Sequence, residues 1–425
     1  MKSGGGGIEQ AEYLMRFALD CVRQARHDEA VEALGEALDI YRREGDGLGA
    51  ASASNALGMV YDRMGSLGEA RRHYEEARQG FEAAGGRGLR GKADALTNLG
   101  VVAAREGRMD EALECHGVAM EIYRGIGHEP GLADSLTNMG IVCTRLGRLD
   151  EADRCYRAAL DIYERGGNVR SAADVLNNMG NLHLRRRRLD EARRCYERAL
   201  AASERLGHEL GMANSLGNLA IALYELGRDE QALEHYGRAL ELYERVDEPI
   251  GKARALGNVA NMLLRRGEVD RAVEALGEAY DLYERVGEPL GQALSLQNAG
   301  SAMLEAGRAD EAARLLDEAY AVYERLGDGA GMAVCQGLMG NALLALGRHE
   351  EAEPAYGRAV ELFTEAGDDV GRGSALVGLA LIRERQGRLD EALDLLREAA
   401  RLYEAAGAPG RDMEFVRAQI ERLGG

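Results

Sequence analysis

The chain has 425 residues, is rich in the helix formers Ala, Leu, Glu and Arg, and contains only 5 Pro. Its net charge of −19 opposes generic binding to nucleic acid or to anionic membranes, because phosphate repels a polyanion. No apolar run approaches the ~18 residues of a membrane span, and six cysteines without a secretion signal point to a reducing, cytoplasmic setting.

Residues 1–10 open with Met1-Lys2-Ser3-Gly4-Gly5-Gly6-Gly7 and read as a flexible Gly-rich leader. From residue 11 the sequence repeats. Asn98-Leu99-Gly100 returns as Asn138-Met139-Gly140 and Asn178-Met179-Gly180, then as Asn218-Leu219-Ala220, Asn258-Val259-Ala260 and Asn298-Ala299-Gly300, each time after 40 residues. Two alanine columns keep the same step, from Ala112 to Ala392 and from Ala119 to Ala399. A glycine column runs through Gly107, Gly147, Gly227, Gly267, Gly307, Gly347 and Gly387. Ten units begin near residues 11, 51, 93, 133, 173, 213, 253, 293, 333 and 373, with a two-residue insertion near Gly85–Gly88. A period of this length marks a stacked repeat array, so the usual division of such a length into two or three globules does not apply.

Each unit reads as two helices. In the third, Ala93, Leu96, Leu99, Gly100 and Ala103 share one face at helical spacing. Gly107 stops that helix, since Gly adopts the left-handed conformation of a helix end without strain. Asp110 suits the unpaired N–H groups of the next helix, whose inner face carries Ala112, Leu113, Ala119, Ile122 and Tyr123. No single pair buries its apolar face alone, and stacking completes the core. After the array, at 11–410, residues 411–425 supply a C-terminal capping helix with Met413, Val416 and Ile420 on one side.

These columns resemble the tetratricopeptide repeat, whose signature is Asn-Leu-Gly in the first helix, Gly at the turn and Ala twice in the second. The usual repeat has 34 residues; here the second helix is expected to be six residues longer, roughly 9 Å at ~1.5 Å per residue. That longer form is similar to Pins-type polarity adaptors, kinesin light chains and bacterial sensor arrays. The resemblance implies an all-α, right-handed superhelical solenoid whose first helices line a concave groove that binds a partner peptide or helix.

Carried onto this chain, the groove-facing amides are Asn98, Asn138, Asn178, Asn218, Asn258 and Asn298. An Asn amide both donates and accepts, so it can satisfy the N–H and C=O of an extended chain; alternatively it bonds between neighbouring helices. The ladder stops at Leu338 and Gly378. Arg105, Arg145 and Arg185 form a row late in successive first helices, beside Asp94, Asp134 and Asp174; Arg265 and Arg385 follow, interrupted by Glu225, Glu305 and Ala345. Arg forks match carboxylates, so the first half reads as a site for an acidic partner segment, unless Arg and Asp pair across adjacent repeats. Asn177, Asn181 and Asn261 add polar groups, and Ile221, Tyr224 and Leu264 apolar ones.

Other signals carry less. The basic run Arg185–Arg188, with Arg193 and Arg194, lacks interleaved aromatics for stacking bases and reads as a solvated helix end. Cys115, Cys155 and Cys195 lie one repeat apart, too far to share a metal at thiolate distance, and read as core residues. The Tyr column reads as packing between repeats. No nucleotide, hydrolase or metalloprotease motif occurs, so neither catalytic residues, cofactor nor metal is expected. The expectation is a non-enzymatic scaffold for a protein partner. The alternative is a regulatory arm that changes superhelix shape on binding a peptide or small ligand and controls an effector. Exposed end faces leave self-association open.

Overall fold

Among the described residues the forty-residue period is built as ten helix pairs and one further helix. The computed structural model describes residues 4–407 and 410–424; of these described residues 87% are helical and none is in a strand. The chain divides into two compact units, the first ending at Gly211 and the second starting at Met212.

The first unit pairs α1 (Gly4–Arg23) with α2 (His27–Glu44) and α3 (Gly47–Arg63) with α4 (Leu67–Ala83). It continues with α5 (Leu89–Arg105) and α6 (Met109–Gly125), α7 (Glu129–Arg145) and α8 (Leu149–Arg165), and α9 (Val169–Arg185) and α10 (Leu189–Leu206). The two-residue insertion forms a 3-10 turn over Gly85–Gly88. The second unit holds most of α11 (Glu209–Glu225), then α12 (Asp229–Arg245), α13 (Pro249–Arg265), α14 (Val269–Val286), α15 (Pro289–Glu305) and α16 (Ala309–Leu326). It ends with α17 (Gly329–Ala345), α18 (His349–Ala366), α19 (Asp369–Arg385), α20 (Leu389–Ala406) and α21 (Gly410–Arg422).

Helix ends follow local chemistry. His128, Asn168, Glu248, Asp328 and Asp368 each cap a first helix by accepting the backbone N–H three residues on. The stretch Gly127-His128-Glu129-Pro130-Gly131, whose Gly and Pro residues suit a loop, is therefore a cap and a first helical turn. This changes the expected division of length. First helices such as α5 and α7 have 17 residues and second helices 17 or 18, so the extra length of the long repeat is shared by both, not placed in the second alone.

Two glycine columns are demanded by aromatic rings rather than by turns. A Cβ on Gly140 would lie 2.5 Å from the Tyr156 ring, and one on Gly180 2.3 Å from Tyr196, so these glycines seat the second helix against the first. A Cβ on Gly131, Gly251, Gly291 or Gly331 would strike the ring of Tyr123, Tyr243, Tyr283 or Tyr323 from the preceding repeat. At these positions one column closes a pair and the other stacks a pair on the one before it within its unit. Close approach at these small residues produces the continuous apolar core around Tyr156, Tyr163, Leu176 and Leu182.

The termini differ in one respect from expectation. α1 already begins at Gly4, so residues 4–10 are helical rather than a flexible leader; residues 1–3 lie outside the described residues. Ile8 packs on the first core cluster and Gln10 donates to Glu36 at 3.1 Å, which extends the helix ahead of the repeat pattern. At the other end, α21 sets Val416, with Met413, Ile420 and Leu423, against Leu396 and Tyr403.

Candidate functional site

In the first unit, α3, α5, α7 and α9 approach one another in direct succession, more closely than consecutive second helices do; α15, α17 and α19 do so in the second. The outward faces of these first helices therefore form a continuous surface within each unit. On α5 it carries Asp94, Asn98, Val101 and Arg105, spaced i, i+4, i+7 and i+11.

The asparagine ladder lies on this surface, half-buried at every rung, but its members differ. Asn98 donates to Asn55 of the preceding first helix at 3.3 Å, and Asn258 is hydrogen-bonded to the Tyr236 hydroxyl of the preceding repeat. Both ties are of the interhelix kind. Asn138, Asn178 and Asn298 have no hydrogen bond to any described residue, so their amides are open to a ligand. Asn218 and Asn177 are half-buried on the same helices. Asn181 accepts from the Tyr196 hydroxyl at 2.6 Å, which fixes its amide, while Asn261 is exposed.

The arginine row is used between repeats, in part by the Arg–Asp pairing that the sequence left as the alternative. Arg105 pairs with Asp62 of the preceding first helix. Arg145 donates to the Ala104 carbonyl at 3.4 Å and Arg185 to the Thr144 carbonyl at 3.0 Å. Each thus caps the carbonyl end of the helix before it, where a cation is favoured. Among the described residues neither Arg145 nor Arg185 has a carboxylate partner; both are exposed and retain donors beyond that single bond. The aspartate row does not neutralise them. Asp94 and Asp134 instead accept from the hydroxyls of Tyr123 and Tyr163, as Asn214 does from Tyr243 at 2.8 Å. The tyrosine column therefore packs its rings between repeats and ties its hydroxyls back across its own pair. The 29-residue separation of Asp94 from Tyr123 and of Asp134 from Tyr163 was the signal available in sequence.

In the second unit Arg265 lies over the Tyr224 ring, 4.3 Å from its centre, and Ile221 and Leu264 are half-buried. The remaining signals resolve as structure. His116 is 1% exposed against Gly100, and burial pushes its imidazole down to about 4. Burial also pushes the Cys115 and Cys155 thiols up to about 11, far from the range of a reactive thiolate. Within the basic run, Arg186 pairs with Asp150 and Arg193 with Glu197. Among the described residues no group of His, Cys, Asp and Glu is placed to hold a metal, and no helix is long and apolar enough to cross a membrane.

Family models described as Tetratricopeptide repeat match residues 9–83, 91–165, 171–245, 251–325 and 332–405, and a further one matches 56–114. The chain belongs to the tetratricopeptide repeat family. As a tetratricopeptide repeat solenoid it is a protein-interaction scaffold, on a fold that is generally non-enzymatic. No curated protein matches it. Among solved structures it is similar to the apo form of RapI, with a TM-score of 0.55 and 13% identity over 65% of this chain and 99% of that one. It is also similar to a Signal Transduction ATPase with Numerous Domains protein from Pyrococcus horikoshii that has a tetratricopeptide repeat sensor. There the TM-score is 0.59 and the identity 11%, over 79% of this chain and 52% of that one, so the chain spans about half its length. Both likenesses concern the fold.

Proposed function

We propose that the chain holds an extended or helical segment of a partner protein along the exposed face of its first helices, and that in the first unit this segment is acidic. The observation that supports this most is the pair of open amides on Asn138 and Asn178, one repeat apart, beside Arg145 and Arg185. The two amides offer donors and acceptors to a peptide backbone, and the two guanidinium groups offer donors to carboxylates. Replacing both Asn138 and Asn178 by Ala should weaken capture of the partner without changing helix content; equal capture by this variant and the parent would overturn the reading. Arg105, Asn98, Asn181 and Asn258 act in this scheme as internal ties that keep the face in register.

The second reading is a regulatory arm whose shape responds to a ligand. It draws on the likeness to a protein described as carrying a repeat sensor of this kind. A change in radius of gyration on ligand addition would favour it; capture of a partner with no change in shape would favour the scaffold.

A further inference from the structure

A pocket lies in the first unit between α8, α9 and α10. There the repeat pattern is trimmed at two adjacent positions of the lining. Where the preceding second helix carries Asp161 and Ile162, α10 carries Ala201 and Ala202. The loss of side-chain volume leaves a pocket of about 370 Å³, within the range of small-molecule sites. Its walls are apolar, with Val169, Ala172, Leu176 and Ala202 among them, and Arg198 and Arg205 stand in its lining.

The charge at this pocket is unbalanced by the same trimming. One repeat earlier, Arg165 bonds Asp161 at 3.0 Å and Glu129 at 3.4 Å. Arg205 occupies the equivalent position, but Ala201 replaces the aspartate and Val169 replaces the glutamate. Arg198 is held by Glu164 at 2.9 Å, whereas Arg205 has no carboxylate partner among the described residues. An unpaired guanidinium beside an apolar cavity is complementary to one anionic group joined to an apolar body. The pocket walls are mostly helical, with backbone groups already bonded within their helices, so they offer an extended peptide no main-chain pairing.

We propose that this pocket binds a small amphiphilic carboxylate, with its anionic head on Arg205 and its aliphatic body against Ala172, Leu176 and Ala202. The site is separate from the first-helix face and does not depend on the reading given for that face.

Calorimetric titration of the full chain with octanoate tests it, with octanol and octylammonium as the matched neutral and cationic probes. The parent should bind octanoate saturably, and both other probes at least about tenfold more weakly, the scale of a lost charge-assisted bond. Arg205→Gln should weaken octanoate by a similar factor. Ala202→Ile, which restores the residue of the neighbouring repeat, should fill the cavity and abolish binding, and Ala201→Asp should restore the internal ion pair and compete with the ligand. Circular dichroism checks that each variant folds. Absence of octanoate binding to the parent, equal binding of octanol, or undiminished binding to the folded Ala202→Ile variant would each overturn the proposal.

Discussion

The two units share one scaffold and present different chemistry on it. The columns that touch the interior are common to both: Ala119 and Ala159 in the first unit and Ala279 and Ala319 in the second are all fully buried. The columns that face outward diverge. Where the first unit has Thr97 and Thr137, whose hydroxyls bond back to their own helix, the second has Gly217 and Gly257. Where the first has Asp94 and Asp134, the second has Leu294, 47% exposed, and Val334. Where the first has Arg145 and Arg185, the second has Glu225, Glu305 and Ala345. A repeat array keeps the residues that neighbouring units demand of each other and is free to vary the rest, so one backbone can carry a polar, cationic face and a smoother, more apolar one.

The largest expected effect separates the two faces by charge. Reversing Arg145 and Arg185 together to Glu should lower affinity for an aspartate- and glutamate-rich peptide by roughly a hundredfold at low salt, because two charge-assisted hydrogen bonds give way to repulsion. Arg265→Glu in the second unit should have a far smaller effect, because that guanidinium is engaged with Tyr224. Fluorescence anisotropy would measure both, and equal losses would remove the distinction between the units.

Acid should weaken the first unit selectively. His116 has its pKa lowered by burial to about 4, against an ordinary value of 6.5, so the folded state keeps it neutral while the unfolded chain takes up a proton. Its stabilising contribution is full above pH 6.5 and is lost as pH falls toward 4, by about 3 kcal/mol at the lower limit. The same column in the second unit holds Tyr236, Leu276, Leu316 and Tyr356, none of which titrates there. Hydrogen exchange resolved by unit, at pH 7 and pH 4.5, should show protection falling more around His116, and His116→Tyr should reduce that difference.

Glycine substitutions should act with opposite sign at two kinds of position. Gly140→Ala forces a methyl into the Tyr156 ring and should cost roughly 1–3 kcal/mol. A Cβ on Gly257 meets nothing within 4 Å, so Gly257→Ala should stabilise the second unit by about 1 kcal/mol through helix propensity. Urea denaturation with a local probe in each unit would separate the two, since an array need not unfold as one transition. A gain of similar size is expected at Arg187, which holds φ 56° where most turns have glycine; Arg187→Gly should add about 1 kcal/mol by relieving that left-handed backbone.

The fold was legible because the interior columns repeat in register. Ala112 and Ala119 recur without a break, and the glycine stops follow at positions that the backbone indeed holds at positive φ. The first turns of the first helices were not legible as helix, because Glu129-Pro130-Gly131 reads as a loop until the cap from His128 is seen. The site was legible only as a face. Spacing places Asn98, Asn138 and Asn178 on one side, yet it cannot show that Asn98 reaches Asn55 while the other two amides stay open. Nor does it reveal that Arg145 reaches 41 residues back to a carbonyl, since backbone acceptors carry no sequence signal.

We propose that the first helices, and not the loops or second helices, hold the partner. A photo-crosslinking residue placed in turn at Ile141 on α7, at Arg157 on α8 and at His128 between repeats tests it most directly. The same partner should be captured from Ile141 and not from the other two positions. Capture from Arg157 or His128, with none from Ile141, would contradict it.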